Sequence, residues 1–230
     1  MEWESEKGKE LFLLLLTSAH PLTRDEIIAA IWPDAGGKRA SSVFHSTLHR
    51  IRRALYRECL VESGGAYALQ PSGTFVFDAQ DFTQLTEKAR GLRDGREGSL
   101  DIMRQAVHLY SGPFAPLLES DWAQSYRLRL EERFTEVAAR LTTQLVRQGD
   151  YAAALEVSET LLESDPYNEE AIYQLMHALS ALGDRDGAVR AYRRYSDLLE
   201  LELGIKPGHE IQQLHGEIQN KANKIPLEPL

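Results

Sequence analysis

Polar and apolar positions follow a helical period from Glu6 to Thr17, with Leu11, Leu14 and Leu15 on one side, which predicts a first helix. Thr23-Arg24-Asp25-Glu26 has the form of a capping box: Thr23 accepts from the amide three residues on, and Glu26 reaches back. It opens a second helix, Arg24–Trp32, with Ile27, Ile28, Ile31 and Trp32 inward, and Pro33-Asp34-Ala35-Gly36-Gly37 ends it. Over residues 38–57, Phe44, Leu48, Ile51 and Leu55 recur at i, i+4, i+7 and i+11 and form one apolar helical stripe. Leu60–Gln70 alternates around Gly64-Gly65 and reads as a β-hairpin, and Thr74–Phe77 is expected to add a short strand. Gly91, Gly95 and Gly98, interleaved with charges, mark a joint. From about Ser99 to Asn220 the pattern is almost wholly helical. The expected division is therefore 1–78, a connecting segment 79–98, a helical domain 99–223 and a tail 224–230.

The helical part repeats. Gly149-Asp150 recurs as Gly183-Asp184 after 34 residues, and at the same interval Ala154 matches Ala188, Leu155 Val189, Leu141 Leu175 and Leu145 Leu179. A 34-residue period with a small residue after a Gly-Asp turn marks tetratricopeptide helix pairs, in which alanine lets two helices approach closely. Asp165-Pro166 closes the first repeat, because proline cannot continue a helix interior. Pro207 comes seven residues later than the period requires, so the second helix of the second repeat should be about two turns longer. Stacked repeats of this kind offer a concave surface to a partner.

Charge changes the picture for the first 78 residues. The chain carries −9 overall, yet residues 38–57 hold six basic side chains, two histidines and no acid. Opposite the apolar stripe lie Ser42, Ser46, His49, Arg50, Arg53 and Arg57. Surface helices usually mix charge signs; a helix that buries one face and shows only basic and small polar residues on the other suits the DNA major groove. Residues 1–78 hold nine Lys/Arg against ten Asp/Glu, and the remainder 17 against 25, so phosphate binding would have to come from this one local face. A pI near 5.3 argues against a protein that coats nucleic acid indiscriminately.

Three helices followed by a hairpin, the third helix basic, is the plan of a winged helix-turn-helix. The expected fold is thus mainly α: a winged helix with a β-hairpin wing, then an all-α tetratricopeptide-like domain. Arg50 is the best candidate for reading base edges. Lys38, Arg39, Arg53 and Arg57 are assigned to phosphates, and Ser42, Ser46 and His49 complete the surface. Arg52, at the flank of the stripe, could equally make an internal ion pair. Gly65 and Tyr67 are the wing candidates, Tyr67 being as suited to the core as to DNA. Trp32 and Trp122 read as core anchors.

Other chemistry finds little support. His45 and His49 have a zinc-compatible spacing, but the stretch HSTLH lacks the glutamate of a zinc-protease motif and no third ligand is near, so no metal is expected. No phosphate-binding glycine motif occurs, no Ser/His/Asp arrangement stands out, and neither an enzyme nor a cofactor is expected. Cys59 is the only cysteine, which excludes an internal disulfide and fits a reducing, cytoplasmic compartment. The acidic start MEWESEKGKE does not read as a signal peptide, and Leu11–Leu16 is too short to span a bilayer.

The second part resembles the bacterial transcriptional activator domain. The matching stretches are Leu109-Tyr110-Ser111-Gly112-Pro113-Phe114, Trp122, Arg127-Leu128-Arg129-Leu130, Gly149-Asp150-Tyr151, Asp165-Pro166-Tyr167, Leu175-Met176-His177-Ala178-Leu179 and the run from Leu199 to Pro207. In that family the domain usually follows a winged helix of the response-regulator type, which Val43–Leu55 and Gly65–Leu69 resemble. The pairing is similar to the antibiotic-regulatory activators of actinobacteria. That winged helix normally begins with a small sheet ahead of its first helix; this chain starts almost at the helix, so the sheet is expected to be absent. The resemblance implies a cytoplasmic transcription regulator, or the effector portion of one. Its expected partners are double-stranded DNA and, through the repeats, a protein such as RNA polymerase or a second copy. A protein-interaction adaptor whose winged helix binds no DNA, and a ligand-sensing module, are the alternatives.

Overall fold

The computed structural model describes residues 5–54, 59–70, 76–96 and 98–222. The chain divides into two compact units, one of residues 1–80 with Pro113–Leu130, the other of Asp81–Gly112 with residues 131–230.

In the first unit α1 (Glu6–Thr17) is capped by Ser5, whose hydroxyl accepts from the Gly8 amide at 3.0 Å. Strand β1 (Leu22–Thr23) leads into α2 (Arg24–Ile31), and α3 (Gly37–Ala54) follows. β2 (Leu60–Ser63) and β3 (Ala66–Leu69) form the hairpin, whose central Gly64 and Gly65 have φ of 60° and 79°, the positive values that a type I′ turn demands. The sheet order is β1-β3-β2, antiparallel throughout, with Leu22 opposite Tyr67 and Leu60 opposite Leu69. The expected strand at Thr74–Phe77 is absent at Val76 and Phe77, and Thr74 and Phe75 lie outside the described residues. The sheet was legible only as a hairpin; β1, between α1 and α2, is its third strand.

Leu11, Leu14 and Leu15 of α1, Ile27 and Ile31 of α2, and Phe44, Leu48 and Ile51 of α3 share one core with Leu60 and Tyr67. Trp32 and Trp122 pack at its edge, as the sequence suggested. Leu55 lies outside the described residues. Lys7 ties α1 to α2, its ammonium donating to the Glu10 carboxylate at 2.7 Å and to the Ile31 carbonyl at 3.1 Å.

The capping box is complete. The Thr23 hydroxyl accepts from the Glu26 amide at 3.3 Å, and the Thr23 amide donates to the Glu26 carboxylate at 2.7 Å. Thr23→Ala removes the cap and is expected to lower the stability of this unit by about 1 kcal/mol, read as a shift of the denaturant midpoint.

Pro113–Leu130 contributes a loop and the start of α6 (Asp121–Gln148) to this unit. Arg127 fixes the loop by donating to the carbonyls of Phe114, Ala115 and Leu118 at 2.8, 2.7 and 2.9 Å. One guanidinium satisfies three carbonyls here, which accounts for an arginine at this position of the motif.

In the second unit, α4 (Asp78–Gly91) fills most of the stretch expected to be a mere connection. Its buried positions Ala79, Phe82, Thr86 and Ala89 follow a helical stripe, but only Phe82 is a large apolar residue, so the pattern was faint. Glu87 meets Arg133, Arg90 meets Glu136 and, just past the helix end, Asp94 meets Arg140. Each pair is 46 residues apart, a constant offset that means the two segments run parallel. Arg140 also donates to the carbonyls of Ala89 and Leu92, completing the C-terminus of α4.

α5 (Ser99–Leu109) ends at Tyr110, whose ring stacks on Phe134 at 4.2 Å. Two helix pairs follow, α6 with α7 (Tyr151–Ser164) and α8 (Glu169–Ala181) with α9 (Arg185–Leu203). The repeat extends to its chemistry. Asp150 caps the Ala153 amide and Asp184 the Gly187 amide, each after a glycine at positive φ, and Ala154 and Ala188 are both fully buried. α9 has 19 residues against 14 in α7, so the predicted extension is present at about one and a half turns. α10 (His209–Ala222) covers the end of the stack through Ile211, Leu214 and Ile218. Among the described residues no helix is long and apolar enough to cross a membrane.

His215 on α10 stacks flat on Tyr192 at 3.8 Å, and its Nε2 is buried without a hydrogen-bond partner among the described residues. Burial, then the charge of Arg193, pushes the imidazole below its ordinary 6.5. A lowered folded-state value means that this contribution to stability is whole above pH 6.5 and is lost as pH falls through the folded pKa. The thermal midpoint should therefore drop on acidification from neutrality, and His215→Phe, which keeps the stacked ring, should flatten that part of the curve.

Candidate nucleic-acid interface

The apolar stripe of α3 fixes which of its faces meets solvent. With Phe44, Leu48 and Ile51 buried, Lys38, Arg39, Ser42, Ser46, His49, Arg50 and Arg53 are all exposed. No carboxylate occurs anywhere in the helix. The Ser46 hydroxyl donates back to the Val43 carbonyl at 2.9 Å, which keeps it close to the backbone and the helix surface low at that point. Arg57 lies outside the described residues.

The wing sorts the remaining candidates. Arg52 pairs with Glu62 of β2 at 3.7 Å, so of its two sequence readings the internal ion pair is the one formed. Tyr67, a wing candidate for DNA that was equally suited to the core, is corrected to the core: its ring is 6% exposed and meets Phe44 edge-on at 5.2 Å. Strand alternation turns Tyr67 inward once β1 pairs with β3. Burial first, and then the neighbouring Glu62 carboxylate, raise the phenol above its ordinary value, so it stays neutral. Gly65 remains exposed at the hairpin turn.

One further side chain, Arg24, lies beside this surface where sequence reasoning did not place it. Arg24 and His45 line a small pocket with Thr23 and Gly65, beside both α3 and the wing. Arg24 is turned to Asp25, its guanidinium 3.1 Å from that carboxylate. Nothing in the sequence signalled this grouping, because it depends on β1 bringing Thr23 against the hairpin.

Residues 77–219 match the family described as the bacterial transcriptional activator domain. The chain is 31% identical over 212 residues to the regulatory protein AfsR of Streptomyces coelicolor, covering 90% of this chain and 21% of that protein. It is 26% identical over 231 residues to the transcriptional regulatory protein MoaR1 of Mycobacterium tuberculosis, covering 96% of this chain and 73% of the other. The solved structure of Mycobacterium tuberculosis EmbR in complex with a low-affinity phosphopeptide superposes with a TM-score of 0.69 at 22% identity, covering 99% of this chain and 62% of that one. The last likeness carries the winged-helix and helical-repeat fold. The chain thus spans about a fifth of the AfsR sequence it matches.

Proposed function

The chain belongs to the bacterial transcriptional activator domain family, and from that premise we propose that it is a sequence-specific DNA-binding transcriptional regulator, or the effector portion of a larger one, acting in the cytoplasm. The observation that carries the proposal is the acid-free exposed face of α3 in a chain of net charge −9. Surface helices usually mix charge signs, and this one-sign face lies on the helix that a winged helix inserts into the major groove. Arg50 reads a base edge. Lys38, Arg39 and Arg53 meet phosphates, with Arg57 and the turn at Gly65 extending the contact along the backbone. Ser42, Ser46 and His49 form the close-approach surface between them.

In this reading the helical repeats make a protein contact, with a second copy or with the transcription machinery. A single winged helix with this few basic residues binds weakly alone, and a second protomer on a neighbouring half-site would supply the missing affinity. Hydroxyl-radical footprinting of the full chain on the DNA upstream of its own gene tests the proposal. Protection of one or two short segments is expected, and two segments should lie a helical turn or a multiple of it apart. Uniform or absent protection would contradict it.

A further inference from the structure

Beside the basic face, and within the same unit, α1, the α2–α3 turn and residues 117–122 enclose an open groove of 1340 Å³. Its apolar lining includes Trp32, Val43, Leu117 and Trp122. Leu117 is 88% exposed, an unusual position for a leucine on a loop that Arg127 holds with three hydrogen bonds. A leucine held out to solvent on a fixed loop is preorganised for binding, since little freedom is left to lose when a partner arrives.

The rim is acidic. Six carboxylates line the groove. Glu10 is committed to Lys7 and Glu26 to the cap of α2, which leaves Glu6, Asp34, Glu119 and Asp121, all exposed. Arg39 stands at the edge shared with the basic face. Four carboxylates on three separate segments of chain repel phosphates, so the groove does not continue the DNA surface. Tryptophan side chains in a groove with a charged rim are instead the features of a protein-docking site: the aromatic anchors supply affinity and the rim selects the partner's charge.

We propose that this groove docks a basic, amphipathic segment of a partner protein, its apolar side on Trp32, Leu117 and Trp122 and its Lys/Arg on Glu6, Asp34, Glu119 and Asp121. The groove shares Arg39 and Val43 with the first turns of α3 but uses none of Ser46, His49, Arg50 or Arg53, and it stands whether or not α3 binds DNA. In a DNA-bound regulator it would present the partner next to the duplex.

The test uses the full chain and a fluorescein-labelled Leu/Lys amphipathic peptide of about four helical turns, with a Leu/Glu peptide of the same pattern as its opposite. Fluorescence anisotropy is read at low ionic strength, and duplex binding is measured on the same samples. The Leu/Lys peptide should bind and the Leu/Glu peptide should not. Leu117→Ser, at an exposed position, should weaken binding about fivefold or more, and Asp34→Lys with Glu119→Lys at least about tenfold. Glu132→Lys with Glu156→Lys makes the same change of net charge on exposed positions elsewhere and should leave affinity within about twofold. Leu117→Ser should leave duplex binding unaltered, which separates this site from the one on α3. The proposal is overturned if the Leu/Lys peptide does not bind, if the groove variants bind it as well as the parent chain, or if the distant pair weakens binding as much as the groove pair.

Discussion

Replacing Arg50 by alanine is expected to weaken binding to the cognate duplex by ~1–3 kcal/mol, or about 5- to 150-fold, and to relax sequence preference at one base position. Arg50 is exposed on the acid-free face, one turn from Ser46, whose hydroxyl folds back onto the Val43 carbonyl. Arg53→Ala should behave differently. Removing a phosphate-binding cation weakens all sequences about equally and lowers the salt slope by about one. Arg52→Ala is the internal comparison: its guanidinium is turned to Glu62, so DNA affinity should change little. The three variants together separate base reading, phosphate binding and structural pairing on a single helix. Titration of each against the cognate site and a set of single-base variants is the measurement. Equal behaviour of Arg50→Ala and Arg52→Ala would remove the base-reading assignment.

Phe44→Ala is expected to cost the first unit about 3–5 kcal/mol. Phe44 is fully buried at the centre of the core shared by α1, α2, α3 and the wing, and it holds the Tyr67 ring edge-on. Truncation removes the apolar area and leaves a cavity between elements that cannot close over it without moving α3. Domain stabilities are only ~5–15 kcal/mol, so the loss is a large part of what holds the unit folded. Chemical denaturation should show a markedly lower midpoint, and duplex binding should fall with the folded population. Arg50→Ala, at an exposed position, should leave the midpoint in place. A loss below about 1 kcal/mol for Phe44→Ala would show that this core does not carry the stability of the unit.

Legibility in the sequence followed the range of the forces involved. α1, α2 and the hairpin were readable because caps, turn glycines and helical or alternating periods act over a few residues: Thr23 with Glu26, Gly64 with Gly65. The repeat was readable because Gly149-Asp150 and Gly183-Asp184 impose the same turn and the same cap twice. β1 was not, since two residues become a strand only when the edge of β3 is there to pair with them. α4 was passed over because its buried stripe is built largely of alanine and threonine, and the charge pairing that fixes it to α6 is a match across 46 residues. Within the candidate interface, the direction of Arg50 followed from the stripe of α3 alone. Arg52 and Tyr67 needed the wing to be placed, because each sits where two environments compete and only the pairing of β3 decides between them.

Sequence-specific DNA binding through α3 is the proposal on which the assignments of Arg50 and Arg53 depend. The most direct test is the chain's affinity for its own upstream DNA and for random duplex across a salt series. Tight binding to the upstream DNA is expected, weaker by a factor on the order of a thousand or more for random sequence, with both falling linearly in log salt at a slope set by the number of phosphates neutralised. Absence of binding to either duplex at low salt would contradict the proposal. Equal binding to both would reduce the basic face to a non-specific phosphate-binding surface.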